Sequence, residues 1–408
     1  MTIAAPLAEP LAADARSWQR VALVLFAIGW GANHFAPLLP VYRRTLGLDA
    51  TGPALLFGVY ALGLLPGLLI AGPLSDRLGR RALVRPAAFA ALVASALLGA
   101  LGGSFFALLV GRFAYGLAAG AAMSPGAVWV GELSQDAGPG VGARRATIAL
   151  SAGFGLGPLF TGLLAQWAPW PTVTPYVVHT AALSLAILGG RGAPETRAPR
   201  ALPGPLLRLH FTPTGGRRFL REVLPMAPFV FGFPTIAFAG LPALLLFSKG
   251  AAPLPAPLAL TGLLSGLTLL TGVLAQPFTR RYAPEVTSRL GLLFGAAGLG
   301  VGALAAAASA PILLLLAAPL LGAGYGVCMT SGLRLLEAVA PPETRGGLTG
   351  LYYVLTYLGF AAPWLLALAV RVVPAAWVLG AAGLHAALTA GWFYWLQLRR
   401  EAGAARAA

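Results

Sequence analysis

Charge is what this chain has least of. Lys, Arg, Asp and Glu make up 10% of its 408 residues, and only 12 residues are acidic, whereas a soluble domain carries about 25% charged residues. That shortage excludes water as the surroundings of most of the chain. Cysteine is nearly absent too. Cys328 stands alone, which excludes an internal disulfide and, within an apolar run, reads as a small buried hydrophobe. Histidine, cysteine and carboxylates nowhere cluster at ligand spacing, so no metal site is expected. No series of segments alternates polar with apolar residues over about ten positions, which excludes a membrane β-barrel as the main element.

What fills the chain instead is apolar: 58% of residues are hydrophobic and the mean hydropathy is +0.80. A helix crosses about 30 Å of hydrocarbon with roughly 20 such residues. Continuous Ala/Leu-rich runs at 18–42, 52–73, 83–101, 104–130, 146–168, 173–190, 223–247, 252–276, 287–307, 311–336, 347–369 and 373–396 therefore predict twelve transmembrane helices. The fold class is an all-α membrane protein, because a lipid-exposed chain must satisfy its backbone internally. Glu9 and Asp14 precede the first run, which is itself long enough to span. The opening segment thus reads as a short cytoplasmic tail and not a cleaved signal.

Basic residues number 28 and give a formal charge of +16. With the N-terminus inside, all but six of them fall in cytoplasmic segments. Arg43, Arg44, Lys249 and Arg371 lie outside, and Arg112 and Arg334 lie within spans four and ten. This asymmetry follows the positive-inside rule and places both termini in the cytoplasm. Basic loops lying on an anionic leaflet account for the charge, so membrane lipids are expected partners. Nucleic acid is not, since the arginines are scattered over short loops. Arginine far exceeds lysine, with abundant Ala and Gly, which points to a GC-rich bacterial source and hence to the bacterial inner membrane.

One long polar connection divides the chain. The expected organisation is a tail (1–17), a six-helix bundle (18–190), a basic linker (191–222), a second six-helix bundle (223–396) and a tail (397–408). A shift of 205 positions superposes Pro37 on Pro242, Glu132 on Glu337 and Pro158 on Pro363. Equal halves with matching in-helix residues indicate internal duplication, a recurrent transporter design with the site at the interface of the halves.

Between spans two and three the chain reads GPLSDRLGRR. Gly72, Leu74, Asp76, Arg77, Gly79, Arg80 and Arg81 resemble the signature loop of the major facilitator superfamily, G-x-L-x-D-R-x-G-R-R/K. The resemblance implies a two-bundle transporter and a monomer. It also implies that Asp76 and Arg77 help latch the halves in the outward-open state. Arg112 and Gly116 in span four resemble that family's R-x-x-x-G pattern. Gly153, Gly157, Pro158 and Gly162 in span five resemble the G-x-x-x-G-P-x-x-G-G element of its drug/proton antiporter branch, with Thr161 replacing one glycine; generic helix packing explains the same residues. The second-half counterpart of the loop, QPFTRRYAPE at 276–285, keeps Arg280 and Arg281 but lacks the Asp.

Substrate chemistry has to come from polar groups at membrane depth. Arg112 is the strongest: it would bind a substrate anion or handle protons, or else serve as a structural anchor. His34, beside Asn33 in GWGANHFAPLLP, would relay protons or be a hydrogen-bonded packing residue. Arg334 and Glu337 are spaced for a local ion pair. Spans one and seven, broken by Gly29, Gly31, Pro37 and Pro40 and by Pro228, Gly232, Pro234, Gly240 and Pro242, mark the binding region. Trp30, Tyr115, Trp129, Phe231, Tyr325 and Tyr357 are candidates to line an amphipathic pocket there. No nucleophile–base pair is visible, so the chain is not expected to be an enzyme. No carboxylate lies mid-span, which argues against exchange of a cation for protons. The expectation is therefore a secondary transporter working by alternating access and without a cofactor, whether or not coupled to protons. It exports an amphipathic small molecule, neutral or anionic; import or facilitated passage of a sugar or organic acid is the alternative.

Overall fold

Among the described residues every long apolar run is helical, because in lipid only the chain itself can satisfy its amides and carbonyls. The structure is a computed structural model that describes residues 16–138, 140–199, 211–247, 255–341 and 345–407. Eleven described helices are long and apolar enough to cross a bilayer: α1 (Ser17–Thr45), α2 (Thr51–Leu78), α3 (Arg80–Ala100), α4 (Phe105–Glu132), α5 (Val141–Trp167), α7 (Pro213–Leu245), α8 (Pro257–Arg281), α9 (Pro284–Ala307), α10 (Pro311–Val339), α11 (Gly347–Ala369) and α12 (Ala375–Ala402). Between α5 and α7, α6 (Thr174–Gly190) is a shorter apolar helix; its 17 residues rise about 26 Å. With α6 included, the described helices number an even twelve, which puts the start of α1 and the end of α12 on one side. The sequence reading places 213–222 in the linker and 397–408 in a tail, yet 213–222 forms the start of α7 and α12 carries its helix on to Ala407. Residues 1–15 of the expected first tail and 200–210 of the linker lie outside the described residues.

Proline decides where the helices break. In α1, Pro37 sits in a 3-10 turn, Ala36–Leu38, with Pro40 just after it. Each proline removes an amide donor and crowds the preceding turn. In α7, π-helical turns at Phe219–Val223 and Ile236–Gly240 flank the segment that holds Pro234. In α11 a 3-10 turn, Leu358–Ala361, precedes Pro363.

Within the first six helices α2 packs on α4 and α1 on α5; in the second six α8 packs on α10, and α9 on α10 and α12. The equivalent pairs close through glycine. A Cβ on Gly116 of α4 would stand 2.2 Å from the Tyr60 carbonyl oxygen of α2, and one on Gly326 of α10 would stand 1.8 Å from that of Gly272 in α8. Lipid supplies no hydrophobic drive between helices, so such backbone contact is what holds a bundle together. The bundles meet where α5 crosses α8 and where α2 meets α11. Arg334 does not pair with Glu337: its guanidinium donates to the Thr279 and Tyr282 carbonyls, and Glu337 is exposed.

Candidate functional site

The broken helices α1, α7 and α11, with α2, α4, α5, α8 and α10, enclose a central cavity of about 600 Å³ between the bundles. It extends from Asn33, Tyr60, Phe238 and Phe360 at mid-depth to Asp76 and Arg80, where α2 ends and α3 begins. Rings form much of one wall: Phe231 stacks on Tyr357 at 4.4 Å between centroids, and Tyr325 and Phe360 stand 5.6 Å and 5.5 Å from Phe231. Thr235 is satisfied by the Phe231 and Gly359 carbonyls.

Toward the opposite end the cavity is closed. Phe57 of α2 stacks on Phe360 of α11 at 5.2 Å and meets Phe238 of α7 edge-on at 5.8 Å. Beyond this plug lies a smaller vestibule of about 200 Å³, lined by Pro40, Arg43, Ala54, Phe247 and Pro363 among others. At its rim Arg371, after α11, reaches across to Asp49, before α2, at 2.5 Å. Asp49 also accepts from the Thr51 hydroxyl at 2.7 Å and the Gly52 amide at 3.0 Å, capping α2. The Thr51 hydroxyl first, then the Gly52 amide and Arg371, hold the Asp49 carboxyl below the ordinary carboxylate range.

The residues expected to carry substrate or coupling divide into two groups. Asn33 and Tyr325 line the cavity, as do Phe231 and Tyr357. Arg112, His34, Tyr115 and Trp30 stand behind its wall. Arg112 is fully buried and its guanidinium donates to the carbonyls of Ala32 (3.4 Å), Leu56 (3.4 Å) and Phe57 (3.5 Å), sandwiched by the rings of Phe35 and Tyr60 at 4.5 Å and 4.6 Å. Tyr115 donates to the Ile28 carbonyl at 3.1 Å. His34 packs edge-on to His179 and Tyr176, with Nδ1 unpartnered, while His179 bonds Ser95 at 2.7 Å and the Ala27 carbonyl at 2.9 Å. Trp30 stacks on Phe160, and Trp129 donates to the Pro194 carbonyl. Sequence reasoning missed Tyr60, Tyr353, Phe57, Phe238 and Phe360.

At the cavity mouth the signature loop is drawn together by two carboxylates. Gly79, at φ +99, ends α2 in a conformation that favours glycine. Arg80 is 4% exposed and holds Asp76 at 2.8 Å, Glu132 of α4 through both carboxylate oxygens, and the Ser75 hydroxyl at 2.6 Å. Glu195, beyond α6, accepts from the Arg80 and Arg81 amides, each at 2.9 Å, and so caps α3. Arg197 donates to the Asp76 carbonyl at 3.2 Å. Arg77 closes the last turn of α2, and Gly72 lies on the cavity wall. Glu132 carried a signal in the repeat; Glu195, in an irregular segment, carried none.

In α5, a Cβ on Gly153 would stand 2.2 Å from the Phe26 carbonyl oxygen, and one on Gly157 2.7 Å from that of Trp30, both in α1. Gly162 instead faces α8 across the bundle boundary, where its Cβ would stand 2.7 Å from the Leu258 carbonyl oxygen. The carbonyl of Pro158 lies in the same crossing, against Gly262.

The family description Major Facilitator Superfamily matches residues 21–362. The multidrug efflux pump LfrA of Mycolicibacterium smegmatis is 32% identical over 238 residues, 56% of this chain and 44% of LfrA. An uncharacterized MFS-type transporter of Bacillus subtilis, YceJ, is 32% identical over 167 residues, 40% of this chain and 41% of YceJ. The chain thus spans less than half the length of the curated relatives it matches. Among solved structures, a peptide transporter POT in complex with sulfate superposes with a TM-score of 0.76 over 94% of both chains at 16% identity. A D-xylose-proton symporter does so at 0.71 over 92% of this chain and 96% of that one, at 16% identity. Those two likenesses carry the fold alone. The family match, spanning most of the length and agreeing with the helical architecture, makes this chain a multi-pass membrane member of the Major Facilitator Superfamily.

Proposed function

We propose that this transporter exports an amphipathic small molecule, neutral or anionic, from a bacterial cell by alternating access. It works as a monomer in the inner membrane, with both termini and the cavity mouth in the cytoplasm. The observation that carries this reading is the one-sided cavity. About 600 Å³ of space between the bundles reaches the end bearing the termini, and the other end is closed by Phe57, Phe238 and Phe360. A site open to one side at a time is what alternating access requires. The basic loops favour a cytoplasmic position for that end, and the similarity to a multidrug efflux pump supports export. A proton gradient is the proposed driving force.

Proteoliposomes loaded with a panel of fluorescent lipophilic compounds, with and without an imposed pH gradient, test this. Gradient-driven movement of an amphipathic dye is expected. Gradient-independent equilibration of sugars or organic acids, with no dye movement, would replace it with the metabolite facilitator.

A further inference from the structure

Among the described side chains that line the central cavity, seven polar groups make no hydrogen bond within the protein: the Asn33 amide and the hydroxyls of Tyr60, Ser124, Tyr325, Thr349, Tyr353 and Tyr357. Asn33, Tyr60 and Tyr325 are 8%, 3% and 8% exposed, and their polar atoms reach the cavity space instead of the packed interior. Polar groups that converge on a cavity are those its ligand satisfies. Each of these seven can donate as well as accept, and each is uncharged.

Formal charge is kept out of the same space. Among the described residues, Asp76 and Arg80 are the only ionised side chains on its wall; they stand at the mouth, joined to one another at 2.8 Å. Arg112 lies on the far face of the Tyr60 ring, its donors already committed to three carbonyls. An ion entering mid-depth would leave its water and find no counter-charge, a cost that neutral hydroxyls do not offset. The rings of Phe231, Tyr357 and Phe360, with Tyr325 beside them, offer instead an aromatic wall of stacked and edge-on rings. The volume falls in the usual ligand-pocket range of about 300–1,000 Å³.

We infer that the cavity takes an uncharged aromatic molecule bearing at least two hydrogen-bonding groups, packed against the rings of Phe231, Tyr357 and Phe360 and bonded to Asn33 and Tyr325. This rests on the export reading above and narrows it by removing its anionic branch. Discrimination against a ring lacking the polar groups follows from the same geometry, since such a ring leaves these partners unpaired.

Three probes share one ring system and differ in charge: naphthalene-2,7-diol, naphthalene-2-carboxylate and (2-naphthyl)trimethylammonium. Their dissociation constants are measured by calorimetry on the full chain in lipid nanodiscs, and their movement by counterflow in proteoliposomes. The diol is expected to bind about tenfold tighter than either ion. Tyr325→Phe, which keeps the ring, should weaken the diol about fivefold. Tyr357→Leu should weaken it about tenfold, with unliganded melting temperatures confirming that both variants fold. Ions binding as tightly as the diol, or diol binding untouched by both substitutions as for simple partition into lipid, would overturn the ligand class. Diol binding without counterflow would overturn export and leave the ligand class standing. Counterflow of the carboxylate alone would do the reverse.

Discussion

The guanidinium of Arg112 enters a site that contains no carboxylate. Three carbonyl oxygens accept from it at 3.4–3.5 Å, and two rings cover its faces. The fork geometry of arginine matters here, since its five donors can reach Ala32 in α1 and Leu56 and Phe57 in α2 together. Lysine keeps the charge but presents a compact ammonium that cannot span these acceptors. Arg112→Lys is therefore expected to cost about 2–4 kcal/mol of stability, read as a lower melting temperature in detergent. The affinity of the folded fraction for ligand should be unchanged, because Arg112 is off the cavity wall; a large loss of affinity at unchanged melting temperature would contradict the anchoring role. The sequence showed that this arginine lies deep in a span, but could not show which way it faced. Tyr60 and Tyr115 make the same point: one lines the cavity and the other bonds the Ile28 carbonyl. Their helices are apolar on all sides, so hydrophobic periodicity marks no inner face.

At the scale of helices, proline and glycine were legible and their consequences follow. The breaks in α1 and α7 fall where the sequence clusters those residues, because a missing amide interrupts a helix whatever surrounds it. The capping segment around Glu195 was not legible, since it depends on neighbours remote in sequence. In α5 the glycines of one motif face different partners. Gly153→Ala pushes a methyl onto a carbonyl of α1 within one bundle and should cost about 1–3 kcal/mol, seen as a lower melting temperature. Gly162→Ala pushes one onto α8, across the boundary between bundles and far from the cavity mouth. It should act as a wedge that favours opening there, raising the labelling of an Ala54→Cys reporter in the vestibule by a membrane-impermeant maleimide. Equal labelling in both backgrounds would show that the crossing yields without moving the bundles.

For the whole molecule, the question is what holds one end shut while the other is open. The aromatic plug of Phe57, Phe238 and Phe360 is apolar and indifferent to pH, whereas the Asp49–Arg371 contact joins residues 322 positions apart through charge. Asp49 is 59% exposed and Arg371 50%, so the pair is a modest latch and salt screens it. The carboxyl of Asp49 is depressed, chiefly by the Thr51 hydroxyl and then the Gly52 amide and Arg371. A depressed carboxyl contributes above its unperturbed pKa and loses that contribution as pH falls through the depressed value. At neutral pH, Arg371→Gln should therefore raise the labelling of the Ala54→Cys reporter about two- to fivefold over the parent. Thiol reactivity itself changes with pH, so the ratio of variant to parent is the quantity to follow. That ratio should fall towards one as the medium is acidified past the Asp49 carboxyl, and also at high salt at neutral pH. A ratio that stays constant across the acid range would assign closure to the aromatic plug alone.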